Sequence, residues 1–193
     1  ASTMSYEQPV HSVSLKGYKI GTTEVSQALW KAVMGSNPSL HQGDDLPVEN
    51  VSWYDVEEFI DKINAMSGTH FRLPTEAEWE FAARAGGSPD EPSGGKSAKV
   101  AVSGVSTSPL ATKTPNAYGL YDMSGNVAEW CSDYLARYKA EAVVNPTGPE
   151  KGVQKIVRGG SFADDPWMLR CAVRGHMKPS DSSVHVGFRL AAD

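Results

Sequence analysis

Two cysteines, five histidines and a few neighbouring acids are the side chains of this 193-residue chain best suited to covalent or metal chemistry. Cys131 and Cys171 can close a disulfide or remain two buried thiols, and neither outcome reports the compartment. His11, His41, His70, His176 and His185 never fall at the spacing that places two imidazoles on one helix face for a metal. A metal would require the end of the chain to fold back, so that His176 meets His185 beside Asp164, Asp165 or Asp181. Asp44-Asp45 reads as a solvated turn. The sequence shows no Ser-His-Asp arrangement, no phosphate-binding glycine loop and no obvious pair of catalytic carboxylates.

The elements that would position these groups are short. Residues 10–21 alternate apolar and polar side chains and predict one or two strands. Ser26 offers an N-cap to a helix with the apolar stripe Ala28, Leu29, Ala32 and Val33, ending at Gly35. A second helix starts near Ser52, with Asp55 as the acid of a capping box and Val56, Phe59, Ile60 and Ile63 as its buried face. Leu73-Pro74-Thr75-Glu76-Ala77-Glu78 predicts a third, capped by Thr75 and Glu78 and stopped by Gly86. From Gly86 to Pro115 the chain reads as a long loop with one short strand, Ala98 to Val105. Short segments divided by Gly and Pro follow, among them Ile156-Val157-Arg158 and Gly187-Phe188-Arg189-Leu190. Helices early and irregular short strands late predict an α+β fold, one domain over 1–193 with little regular structure.

Composition narrows the function classes. The net charge of −5 and the lack of a basic stripe argue against nucleic acid as a partner. No apolar run is long enough for a transmembrane segment. The absence of a signal-peptide pattern at Ala1 leaves a secreted or lipid-anchored origin open.

Several motifs in fixed order carry a family resemblance. They are Thr23-Glu24-Val25-Ser26-Gln27, Asn37-Pro38, Pro47-Val48 with Val51-Ser52-Trp53, and Phe71-Arg72-Leu73-Pro74-Thr75-Glu76-Ala77-Glu78-Trp79-Glu80. Gly119-Leu120-Tyr121-Asp122-Met123-Ser124-Gly125-Asn126-Val127-Ala128-Glu129-Trp130, Arg158-Gly159-Gly160-Ser161 and Gly187-Phe188-Arg189-Leu190 complete the series. Together they resemble the formylglycine-generating-enzyme/sulfatase-modifying-factor family, and the resemblance implies a C-type-lectin-like fold. That family holds oxidases, other metal enzymes and noncatalytic binders, so the fold leaves the function open. The formylglycine-generating oxidase carries two reactive, copper-binding cysteines just before its arginine-cysteine-alanine segment. Here that segment is Arg170-Cys171-Ala172, and the stretch before it, Phe162 to Leu169, has no cysteine. Thiolates cannot be replaced there by hydroxyls or carboxylates, so thiol chemistry of that kind is not expected. The alternative is a metal-dependent oxidoreductase built on His176 and His185.

Residues 158–190 instead interleave two kinds of side chain. Arg158, Gly159, Gly160, Ser161, Arg170, Ala172, Arg174, Pro179, Gly187, Phe188 and Arg189 have an architectural look. Phe162, Ala163, Asp164, Asp165, Trp167, Met168, Val173, Gly175, His176, Met177, Lys178, Asp181, Ser182, Val184, His185 and Val186 follow neither a 2.0 nor a 3.6 period and predict a ligand-binding face on loops. Trp167, His176, Met177 and His185 are expected exposed on one side. The interleaving is similar to the variable proteins of diversity-generating retroelements of the Treponema type. That resemblance implies a diversified binding surface for a protein or glycan ligand, displayed at the cell surface or extracellularly, with a lipid anchor as one route. A structural role, with a partner on the first helices, is a third reading. The same family resemblance implies an optional calcium at Asp122, Gly125, Val127 and Glu129, oxygen donors suited to a hard cation, with no cofactor otherwise required.

Overall fold

The computed structural model describes residues 5–95 and 101–193. Helix α1, Gln27–Met34, is capped by the Ser26 side chain and closed by Gly35 in the left-handed region. Its buried side is not the stripe read from the sequence, since Ala28, Leu29 and Ala32 are exposed and Gln27 and Trp30 are buried. The reason is polar. Gln27 donates to the carbonyls of His41 and Pro47 and accepts from Asn37 and the Gly43 amide, anchoring the loop that follows. Trp30 then stacks flat on Phe59 at 5.2 Å.

Helix α2, Trp53–Ser67, has the predicted Ser52/Asp55 capping box and buries Val56, Phe59 and Ile60. Helix α3, Glu76–Arg84, has the predicted Thr75/Glu78 box. It stops one residue early, with Ala85 as its left-handed cap. Strands β1 (Val13–Ser14) and β2 (Lys19–Ile20) form in the predicted alternating stretch. The short strand expected over 98–105 falls partly outside the described residues; within them only an isolated Val102–Gly125 bridge forms.

Strand β3 is Phe71–Arg72, β4 Ala128–Tyr134, β5 Val143–Val144, β6 Lys155–Arg158, β7 Gly175–Met177, β8 Val186–Gly187 and β9 Ala191–Ala192. A four-stranded sheet in the order β7-β6-β4-β8 is the centre of the molecule, and β2-β9-β3 ties the two ends of the chain together. β4 is the longest strand, and sequence reading missed it because both of its faces are buried and no alternation shows. Ala128, Trp130, Val157 and Val186 face the cluster built on α1 and α2, while Cys131 and Ile156 face Trp79, Ala82 and Ala83 of α3. Every loop leaving this sheet therefore leaves a layer packed on both sides.

Asp133 on β4 accepts from the Glu76 amide at 2.9 Å and so fastens the start of α3 to the sheet. Burial pushes its carboxyl up to about 6. A carboxyl raised on folding favours the folded state most when protonated, so its contribution is full below the ordinary range near 4 and disappears as pH rises through about 6. Asp133→Asn is expected to flatten that part of the stability curve, read from urea midpoints between pH 4 and 7.

Candidate functional site

Four arginines hold the C-terminal loops. Arg158 on β6 is fully buried and donates to the carbonyls of Cys171, Ala172 and Val173 at 2.9, 3.3 and 3.0 Å. Its other side meets Glu80 at 2.5 Å and Glu76 at 3.4 Å. Burial alone would lower its pKa; the two carboxylates reverse the sign and hold it charged. Arg174 grips both oxygens of Glu76 at 2.6 and 2.7 Å, donates to the carbonyls of Tyr6 and Ala136, and lies over the Tyr138 ring. Arg189 grips both oxygens of Glu129 and donates to the carbonyls of Gly21 and Tyr121. Arg170, nearer the surface, joins Glu7, Asp90 and the Trp167 carbonyl. Within the loops most of these bonds end on backbone, so they fix a path and leave the side chains along it unconstrained.

The sixteen residues read as a contact set separate accordingly. Ala163, Asp165, Trp167, Lys178, Asp181 and Ser182 are exposed, Trp167 by 49%. Asp164, Met168, Gly175, His176, Met177, Val184 and His185 are half-buried. Phe162, Val173 and Val186 are buried, which corrects their assignment to an open face. Phe162 is held between the rings of His41 and His185, Val173 lends its carbonyl to Arg158, and Val186 packs in the α2-side core. Two half-buried members also have structural work. Asp164 accepts from the Ser161 amide and hydroxyl at 2.7 and 2.8 Å, and a Cβ on Gly175 would stand 2.8 Å from Val157.

The expected single face for Trp167, His176, Met177 and His185 does not form. Met177 packs toward the α2 side, whereas its strand neighbour His176 points the other way and meets the Tyr6 ring. His176 lies on β7 and His185 precedes β8, the opposite edges of the sheet. Three strand spacings, about 14 Å, separate those edges, too far for both imidazoles to reach one ion. The metal pair read from the sequence is therefore not assembled.

Sequence reasoning missed the loop 37–42 as a neighbour of the C-terminal segment. His41 packs on Phe162, Leu40 beside it is exposed, and Asn50 bonds both Ser182 and the Ser183 carbonyl. The signal was Gln27, a polar residue at the start of a helix whose four bonds draw this loop in.

Both cysteines are buried free thiols. Burial pushes Cys171 up to about 12 and Cys131 well above its ordinary value, the reverse of what a nucleophile or copper ligand needs.

The calcium quartet fits only in part. Both Glu129 oxygens are already held by Arg189, and one also accepts from Trp79 at 2.7 Å. Asp122, in the left-handed region at φ 57, uses one oxygen to accept from the Ala111 amide. Its other oxygen and both oxygens of neighbouring Glu24 are buried with no N–H donor. Burial first, and then the Asp122 and Glu129 carboxylates, push Glu24 up; burial first, and then Glu129, push Asp122 up, while a hydrogen bond with Glu24 opposes the rise. Gly125, also among the four, is required for another reason: at φ 87 its Cβ would lie 1.9 Å from the Val102 carbonyl oxygen.

The sulfatase-modifying factor enzyme 1-like domain matches residues 1–193. The chain belongs to that family. It is 34% identical over 192 residues to the formylglycine-generating enzyme of Mus musculus, covering 88% of this chain and 50% of that protein, so it spans about half the length of such relatives. Among solved structures it superposes on Treponema denticola variable protein 1 with a TM-score of 0.93 at 33% identity, covering 100% of this chain and 90% of that one. PvdO from Pseudomonas aeruginosa follows this fold at a TM-score of 0.81 and 28% identity, over 97% and 85% of the two chains. The α+β, C-type-lectin-like architecture of the formylglycine-generating type read from the motifs is the one present.

Removing one partner of a buried ion pair leaves an uncompensated charge, at a cost of about 3–5 kcal/mol. Arg174→Met is expected to lose that much in urea denaturation. Arg170→Met also leaves a buried partner, Glu7, unpaired, but Arg170 itself is 14% exposed, so a smaller loss of about 1–3 kcal/mol is expected.

Proposed function

We propose that this chain is a noncatalytic ligand-binding protein whose C-terminal loops carry the contact surface. The observation that supports the reading most is that Arg158 and Arg174 hold these loops through backbone carbonyls and buried glutamates, while Trp167 and five small or polar neighbours stand exposed along them. Such a face tolerates exchange of its side chains without loss of its shape, which suits a diversified site. Buried, raised thiols and separated histidines support this reading over the catalytic ones weighed from the sequence. Likeness to a variable protein supports the same view.

In this reading the ligand is a protein or glycan met outside the cell, and the protein is presented there by secretion or a lipid anchor. No helix among the described residues is long and apolar enough to cross a membrane. Trp167 is the anchor, since an exposed tryptophan on a fixed turn offers a large contact area with little entropy to lose. On protein and glycan arrays, the native protein is expected to retain discrete ligands that Trp167→Ala binds at least about tenfold more weakly, with unchanged melting. Retention undiminished by Trp167→Ala but lost on changing the exposed Leu29 and Lys31 of α1 would place the contact surface on the first helices instead.

Folding requires no cofactor in this reading, and calcium is an optional ligand of Asp122 with Glu24. EDTA is expected to leave the melting temperature unchanged. Millimolar calcium is expected to raise it, and Asp122→Ala to abolish the rise.

A further inference from the structure

On the outer side of α3, away from the C-terminal loops, the chain forms a cavity of about 530 Å³ lined by residues of 13–22, 81–82 and 118–120. Leu15, Ile20 and Leu120 give it aliphatic surface, and Thr22 and Tyr18 add polar groups. Phe81 and Tyr118 stand at its rim, each 53% exposed, with ring centroids 5.8 Å apart and planes inclined at 40°. These two rings already touch, so a third ring would pack on their exposed faces and edges, in offset or edge-to-face contact. Lys16 also lines the cavity. Its ammonium meets Asp193 at 2.8 Å, in a pair whose side chains are more than half exposed and therefore exchange partners readily. Tyr18, the remaining polar side chain on this wall with an aromatic body, has already spent its hydroxyl on the Glu78 carbonyl. No residue of 158–190 takes part, so the binding face proposed above has no use for this cavity.

We infer that this cavity is a second ligand site, one that takes a small aromatic anion, with its ring against the Phe81–Tyr118 pair and its acid group on Lys16. The volume lies within the range of small-molecule sites, and a mostly apolar hollow with one mobile cation orients an amphipathic ligand in one way. Phe81 occupies the exposed side of a helix otherwise rich in charge, where it pairs with the Tyr118 ring.

The probe is 1-anilinonaphthalene-8-sulfonate, an aromatic anion, titrated into the folded full chain and followed by its fluorescence. One saturable site is expected. Phe81→Ser with Tyr118→Ser, both surface changes, is expected to weaken it by about tenfold or more, and Lys16→Glu by about threefold to tenfold. Trp167→Ala serves as the control and is expected to leave it unchanged, which keeps this test separate from that of the C-terminal face. Circular dichroism confirms that each variant is folded before titration. No saturable site in the native protein, or one undiminished in the Phe81/Tyr118 variant, would overturn the inference. Undiminished affinity in Lys16→Glu would overturn its anionic half.

Discussion

Buried arginine–carboxylate pairing is the constraint on which this structure depends. Glu76, at the start of α3, faces Arg174 and Arg158 together, and Glu129, in the middle of the sheet, faces Arg189. Apart from the unpartnered Nε of Arg158, these guanidinium groups direct donors to carbonyls of segments with no regular structure of their own. A charge taken out of water is stable only if fully paired, so each loop carbonyl is needed by its arginine as much as the loop needs the arginine. That mutual requirement lets a protein with so few and such short strands keep a defined path through residues 158–190.

The consequence for function is a separation of tasks along one stretch of chain. Positions whose side chains complete the interior, such as Phe162, Val173 and Val186, alternate with positions where only the backbone is fixed. Gly175 belongs to the first group for want of space, and Asp164 because its carboxylate closes a turn. The second group, from Ala163 to Ser182, is free to meet another molecule. The stretch before Arg170 is the short 3-10 turn Pro166–Leu169, which carries Trp167 outward and buries Leu169.

Much of the fold was legible because caps and motifs are local. Ser52 with Asp55 and Thr75 with Glu78 announce their helices through bonds made within four residues. What was not legible is decided at long range. The face of α1 was misread because Gln27 is buried for the sake of a loop ten and more residues away, a purpose that apolar periodicity cannot show. β4 escaped notice because a strand covered on both sides has no alternation, and Glu129 looked like a calcium ligand until Arg189 was seen to occupy it. Gly175 was read as a contact residue and proves to be required by packing, whereas the arginines, Gly159, Gly160 and Gly187 of the C-terminal segment were recognisable as architecture from their chemistry. Which of their neighbours were exposed was not, since Phe162 and Trp167 are both aromatic and differ only in what three-dimensional packing brings beside them.

The most direct measurement is the thermal unfolding of a variant in which Ala163, Asp165, Trp167, Lys178, Asp181 and Ser182 are all replaced at once by unlike residues. If backbone-directed arginine pairing holds these loops, the variant will unfold cooperatively within a few degrees of the native protein. A large loss of melting temperature, or loss of cooperative unfolding, would show that those side chains help to hold the loops and would contradict the account.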